Sequence, residues 1–96
     1  MRTWRELQAQ KLAAMTPEER AEYDAETPRS RAALAAAELA YEARTAAGLT
    51  QEEMGRLMGR KQAYISALES GRANPTISTL DELVRAAGKR LELKIA

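Results

Sequence analysis

Two short runs of apolar residues at helical spacing, separated by a glycine, stand out in residues 49–75. The apolar positions of the first run are Met54, Leu57 and Met58. Spacings of three and four residues put side chains on one face of an α-helix, so this run predicts a helix with one buried face. Thr50 can cap the helix with Glu53 as its capping-box partner, and Gly59 ends it because glycine adopts positive φ without a Cβ clash.

The second run predicts a second helix of similar length. Its apolar positions are Ala63, Ile65 and Leu68, and Gly71 ends it. Two helices of this size joined by a short glycine-containing turn form a helix-turn-helix, whose second helix lies in the major groove of DNA. The pattern therefore predicts that Gln62 to Ala67 are presented on the surface of such a motif.

Apolar stripes on either side of the motif predict two further helices. Thr27-Pro28 is a helix start signal, and the helix that it opens runs to about Ala47, before Gly48. The predicted inner face of this helix consists of Ala36, Leu39, Ala40 and Ala43. After the motif, a helix from Thr76 to Ala87 has the inward positions Ile77, Leu80, Leu83 and Val84. The predicted fold is all-α, with a compact helix-turn-helix bundle at residues 31–88.

Residues 1–30 are predicted to form a helical N-terminal extension. One side of a first helix is lined by Trp4, Leu7, Leu12 and Met15. Thr16-Pro17 followed by two glutamates then starts a second, more polar helix that contains Tyr23. A flexible leader and a partner-binding arm both fit this pattern. Trp4 favours the arm, because a lone tryptophan in a polar segment usually has something that covers it.

The apolar spacing changes in the last eight residues. Residues 89–95 alternate between polar and apolar side chains, which is typical of a β-strand, and no other segment reads as a strand. A strand needs a partner for its backbone groups, so we expect residues 89–96 to pair with a second copy about a two-fold axis. With the axis at Leu93, Glu92 faces Lys94 and Leu91 faces Ile95, and both contacts are favourable.

The composition excludes several kinds of metal site and catalytic site. The chain has 96 residues, a formal net charge of +1, and no cysteine or histidine. These absences exclude zinc fingers, thiol nucleophiles and imidazole bases. Adjacent acids such as Glu52-Glu53 or Asp81-Glu82 point about 100° apart on a helix and do not converge, so an enzyme is disfavoured. No metal or other cofactor is expected. The N-terminus lacks a secretory apolar core and no run is long enough to span a bilayer, so we expect a cytoplasmic protein without membrane contact.

Residues 31–88 resemble the XRE (Cro/C1-type) helix-turn-helix family of phage-repressor-like proteins. The resemblance is carried by Gly48-Leu49-Thr50-Gln51-Glu52-Glu53, the turn at Gly59, Gln62 with Ile65-Ser66, Glu69-Ser70-Gly71-Arg72, and Asn74-Pro75-Thr76. It implies binding to double-stranded DNA by a homodimer. It also implies an ion pair between Arg44 and Glu69 that ties the first helix of the domain to the end of the recognition helix.

The resemblance also assigns the DNA-contacting positions. The base-reading positions are Gln62, Ala63, Ser66 and Ala67. Glutamine can bond adenine in a bidentate manner and alanine can touch a thymine methyl, so direct readout is expected to be modest and DNA shape to contribute. The expected phosphate contacts are Gln51, Arg60, Lys61, Tyr64, Arg72 and Asn74. Lys61 departs from the Ser or Thr that the family usually has at the helix cap.

Three features together resemble the antitoxin of a HigB/HigA-type toxin–antitoxin pair: the short chain, the helical leader, and the C-terminal strand in place of a ligand domain. This resemblance implies neutralisation of a RelE/HigB-like mRNA-cleaving toxin and autorepression at an inverted-repeat operator. The expected toxin contacts are Trp4, Leu7, Leu12 and Tyr23. Two alternatives stay open, namely a stand-alone XRE-family repressor whose leader packs on the core, and a toxin-binding protein without DNA affinity.

Overall fold

The computed structural model describes residues 2–26 and 30–96, and these residues form six α-helices. The helices are α1 (Trp4–Ala13), α2 (Pro17–Glu26), α3 (Arg31–Ala46), α4 (Gln51–Met58), α5 (Gln62–Glu69) and α6 (Ile77–Ala86). The all-α prediction is therefore confirmed for the described residues. None of their helices combines the length and apolarity that a membrane span requires.

The helix-turn-helix is formed by α4 and α5. The Thr50 side chain accepts from the Glu53 N–H, and the Glu53 carboxylate accepts from the Thr50 N–H, which confirms the predicted capping box. Gly59 ends α4 with a φ of 65°, a conformation that costs glycine little. Gly55 lies so close to the turn that a Cβ at this position would stand 2.7 Å from the Arg60 carbonyl oxygen. The sequence thus lets α4 approach the turn closely.

The main core lies between α3, α4, α5 and α6. Its buried members are Ala40, Ala43, Met54, Ile65, Leu68, Leu83 and Val84. Leu39, Leu49 and Met58 pack around them while remaining partly exposed. Because α3 contributes mainly alanines to this core, its backbone lies close to α5.

A second, smaller cluster joins the N-terminal extension to the bundle. Trp4 packs with Ala37 and Tyr41 of α3, and Leu7 and Leu34 border the cluster. The hydroxyl of Tyr41 also donates to the backbone carbonyl of Arg2 at 3.0 Å. α1 is therefore docked on α3, on a face different from the one that α3 turns toward the main core.

Four sequence predictions need correction. Leu57 and Ile77 were expected to be buried but are 59% and 60% exposed. Leu57 lies at the edge of the α4 face, where it lines an open groove beside α6, and Ile77 begins α6 outside the core. The helix expected to open at Thr27-Pro28 begins instead at Arg31, because the Ser30 side chain caps it; Thr27 and Pro28 lie outside the described residues.

The fourth correction concerns the tail. Residues 89–96 form neither a helix nor a strand. A strand requires a neighbouring extended segment, and the described part of this single chain provides none. Leu91 packs on the main core, whereas Leu93 is 68% exposed and Ile95 is fully exposed.

Candidate nucleic-acid interface

The recognition helix α5 presents a polar and small-residue face to the surface. Ile65 and Leu68 are buried in the core, Gln62 and Ala63 are exposed, and Ser66 and Ala67 are half-buried. The four positions expected to read bases therefore lie outside the buried face of the helix. This face consists of a glutamine, a serine and two alanines, and its small side chains allow the helix to approach base edges closely.

A buried ion pair fixes this helix to α3. Arg44 Nε and Nη2 donate to the two carboxylate oxygens of Glu69 at 2.6 and 2.9 Å, and Arg44 Nη1 donates to the Leu49 carbonyl at 2.7 Å. The side chains of Arg44 and Glu69 are only 12% and 6% exposed. The hydrogen bond to Glu69 is the main cause that raises the pKa of Arg44 above its ordinary value. A bidentate pair of this kind fixes geometry in both partners.

A chain of hydrogen bonds continues from this ion pair to the surface. Gln51 Nε2 donates to Glu69 Oε1 at 3.2 Å, and Gln62 Nε2 donates to Gln51 Oε1 at 3.2 Å. The side chain expected to contact phosphate and the one expected to read a base are thereby oriented together. Gln51 also begins α4, so its side chain lies where free backbone N–H groups favour an anion.

The turn before α5 carries two exposed cations. Lys61 occupies the N-cap position, and its side chain makes no capping hydrogen bond, as its replacement of the usual Ser or Thr predicted. The Arg60 guanidinium lies 4.7 Å from the centroid of the Tyr64 ring, which orients both side chains at the start of the recognition helix. The structure thus brings Arg60, Lys61 and Tyr64 together at one end of the reading face.

The loop after α5 contributes Arg72 and Asn74. Both are exposed, and Arg72 Nε donates to Ser70 Oγ at 2.9 Å. Ser70 is buried and caps the end of α5, so Arg72 is held close to the recognition helix. Asn74 lies further along the loop, before Pro75.

The structure separates the four residues expected to contact a toxin. Trp4 is only 8% exposed, and its Nε1 donates to the Glu69 carbonyl at 2.6 Å, so its own chain covers it. The indole is thus covered within the fold, and the toxin contact expected for Trp4 stays a prediction. Leu7 borders the same cluster, whereas Leu12 and Tyr23 are half-buried outside it.

The tail residues expected to form a dimer strand follow α6, and the first of them line a groove against α3. Leu91 is half-buried and Glu92, Leu93, Lys94 and Ile95 are exposed. Glu92 pairs with Arg90 at 3.2 Å within the chain. A groove lined by Leu39, Ala43, Val84 and Leu91 runs beside them.

Sequence reasoning missed the hydrogen bonds that connect the extension to the motif. Nothing local identifies the Glu69 carbonyl as the acceptor of Trp4, which lies 65 positions away. The apolar spacing also does not single out Tyr41, which lies one turn after Ala37 on α3 and packs with Trp4.

Acidic side chains do not form a metal site within residues 2–26 and 30–96. Among these residues, no group of three or more Asp and Glu side chains is placed to hold a metal ion. The buried carboxylate of Glu69 is occupied by Arg44 and Gln51. The surface around the start of α5 offers the cations Arg60 and Lys61, amide side chains and the N-terminus of α4, which suit an anionic polymer.

Comparison with known proteins gives three similarities. A family model described as helix-turn-helix matches residues 41–94, which is more than half of the chain. An uncharacterized HTH-type transcriptional regulator, y4dJ, of Sinorhizobium fredii is 56% identical over 41 residues, which cover 43% of this chain and 53% of the relative. The alignment thus spans about half the length of that curated relative.

The third similarity is structural. A toxin-antitoxin module from Streptococcus pneumoniae aligns over 99% of this chain and 93% of that chain, with a TM-score of 0.49 and 23% sequence identity. A likeness at this level supports no argument about function.

Proposed function

Because the chain belongs to the helix-turn-helix family, of the XRE type, we propose that it is a transcriptional repressor that binds an inverted-repeat DNA operator as a homodimer. The observation that carries the proposal is the exposed face of α5. The Arg44–Glu69 pair fixes the end of this helix, and Gln51 bonds both Glu69 and Gln62. Gln62 and Ser66 supply polar contacts to base edges on this face.

The proposed DNA complex uses the two kinds of contact differently. Gln51, Arg60 and Lys61 neutralise or bond phosphates, which sets affinity and register, whereas Gln62 distinguishes bases. One recognition helix spans only a few base pairs. A two-fold dimer places a second helix roughly 34 Å along the duplex, which requires an operator with inverted-repeat symmetry.

The test of DNA binding begins with operators selected from a random DNA pool by the full-length protein. Affinity for a selected site is then measured at several salt concentrations. We expect an inverted repeat, a steep negative dependence of log K on log salt, and a loss of about 1–3 kcal/mol for Gln62→Ala at one base position. Ser78→Ala, at an exposed polar position of α6, is the control. Failure to select any inverted repeat would refute the proposal.

We assign the dimer contact to the tail. Leu93 and Ile95 are exposed apolar side chains beside a groove that contains Leu91, and pairing of two tails would cover them. Light scattering of Leu93→Arg should then give a monomer. Leu57→Arg introduces the same charge at a similarly exposed leucine on α4 and should leave the dimer intact. A dimeric Leu93→Arg variant would contradict the assignment.

A second function is favoured by the charge of α2. This helix has five acidic residues and one basic residue, and its side chains are exposed except for the half-buried Tyr23 and the undescribed side chain of Glu26. An acidic helix complements the surface of a basic protein. We therefore propose that the chain is also the antitoxin of a RelE/HigB-like mRNA-cleaving toxin, which α2, Leu12 and Tyr23 contact.

The antitoxin proposal is tested with the product of the adjacent gene. That product should be a basic protein of about a hundred residues, a size suited to a single small domain. It should cleave mRNA alone and lose this activity when the full-length chain is added. Changing Glu18 and Glu22 to lysine should relieve the inhibition, whereas the same change at the exposed Glu42 and Glu82 should not. A stand-alone repressor would have no effect on the cleavage.

A further inference from the structure

The position of α1 relative to the recognition helix is fixed at its first residue. Trp4 is buried, and its indole nitrogen donates to the backbone carbonyl of Glu69, the last residue of α5. The Thr3 side chain caps α1 by accepting from the Glu6 N–H. The helix that follows is therefore anchored beside the end of α5 and not on a distant part of the bundle.

A cleft of about 200 Å³ lies between α1 and the helix-turn-helix. From the α1 side it is lined by Gln8 and Lys11, which lie one and two turns after Trp4. From the other side it is lined by Gln51 and Ser66. The cleft therefore joins a helix of the N-terminal extension to the side chains proposed to contact phosphate and bases.

The charges around this cleft favour an anion at its mouth. Its one carboxylate belongs to Glu69, which is already neutralised by Arg44 at 2.6 Å and bonded by Gln51. Lys11 is exposed in the last turn of α1 and has no acidic partner among the described residues. By contrast, Arg5 on the same helix pairs with Glu38 at 3.3 Å.

The contacts of Lys11 also orient its ammonium group. Its Nζ lies 5.6 Å from the centroid of the Tyr23 ring, which leaves the charge unneutralised, since a ring face offers no proton acceptor of the strength of a carboxylate. A lysine held on an anchored helix loses less freedom on binding than one on a mobile arm. Lys11 thus presents an oriented ammonium group whose charge is not neutralised, and such a group suits a phosphate.

We propose that α1 is part of the DNA interface and that Lys11 contacts a backbone phosphate of the strand that Gln51 also contacts. This inference rests on the proposed repressor function. It extends the DNA-binding surface beyond the helix-turn-helix to a residue about forty positions before it. It also gives the N-terminal extension a role in DNA affinity that is separate from any protein partner.

The test measures the salt dependence of operator binding by the full-length Lys11→Ala variant. Loss of one phosphate contact should reduce the slope of log K against log salt by about 0.9 and leave base preference unchanged. If the two curves meet near 1 M salt, affinity at 0.1 M should fall about eightfold. Lys11→Arg should retain the slope. Arg85→Ala removes an exposed cation from α6 and should match the wild type.

The outcomes separate this inference from the repressor proposal. If the wild-type protein selects no operator, the repressor proposal fails and the inference fails with it. If the wild type binds and Gln62→Ala weakens binding, but Lys11→Ala has the slope of Arg85→Ala, then only the inference is overturned. Thermal melting of Lys11→Ala should match that of the wild type, because the residue is exposed; a large drop would assign Lys11 a structural role and would also overturn the inference.

Discussion

Removing the charge of Glu69 should destabilise this protein more than any change of a surface acid. In Glu69→Gln the positive charge of Arg44 stays in place with its side chain 12% exposed, and no other acid replaces the lost carboxylate in the contacts of Arg44. Stranding one member of a buried pair costs about 3–5 kcal/mol. Two hydrogen bonds, at 2.6 and 2.9 Å, lose their charged acceptor at once.

The size of this loss is large for a chain of 96 residues. Domains are stable by about 0.05–0.15 kcal/mol per residue, which gives about 5–14 kcal/mol here. At about 4–8 °C per kcal/mol, the melting temperature should fall by about 12–40 °C. The variant is therefore expected to be partly or wholly unfolded near physiological temperature.

The assay is equilibrium unfolding in urea, followed by circular dichroism. Glu52→Gln is the matched control, because Glu52 forms an exposed pair with Arg56 at 3.3 Å with side chains 71% and 68% exposed. That pair should contribute less than about 1 kcal/mol. The double variant Arg44→Met, Glu69→Leu should recover much of the loss, since it strands no charge. A Glu69→Gln variant as stable as Glu52→Gln would refute the reasoning.

Three further predictions concern the caps and the extension. Gly59→Ala should cost about 1 kcal/mol in urea unfolding, because an alanine must adopt the φ of 65° that ends α4; an unchanged midpoint would contradict this. The backbone N–H of Thr50 is the main cause that lowers the pKa of Glu53 below its ordinary value of 4.5. The ionised Glu53 carboxylate therefore stabilises the folded protein above pH 4.5, and this stabilisation is lost as the pH falls below that value. The difference in stability between the wild type and Glu53→Gln should accordingly shrink between pH 5 and pH 3. Trp4→Phe keeps an aromatic ring but removes the hydrogen bond to the buried Glu69 carbonyl, and should lower stability in thermal melting by about 1–3 kcal/mol; no loss would show that the bond is dispensable.

The helix-turn-helix could be predicted from the sequence because its signals are local. The capping pair Thr50 and Glu53, the glycine at 59 and the apolar spacing of Met54, Ile65 and Leu68 each act within one or two helical turns. Such signals determine where a helix begins, ends and turns its apolar face. They carry less information about the edges of that face, which is why Leu57 and Ile77 were expected inside.

The remaining structure depends on contacts that sequence spacing does not encode. The sequence predicts that another part of the protein covers Trp4. Every residue has a backbone carbonyl, however, so nothing in the sequence identifies that of Glu69 as the acceptor. α3 begins at Arg31 because the Ser30 hydroxyl accepts from the Ala33 N–H, and Thr27 and Pro28 lie outside the described residues. The tail shows the same limit, because alternating polar and apolar residues indicate a β-strand but do not identify the segment with which it pairs.

The burial of Trp4 has a practical consequence. It is the only tryptophan of the chain, so indole emission excited at long wavelength comes from one position, the seam between the N-terminal helix and the end of the recognition helix. Detachment of that helix would expose the indole to water and shift its spectrum to the red while the four-helix core stays folded. The molecule thus contains an intrinsic optical probe that distinguishes undocking of its first helix from unfolding of the whole.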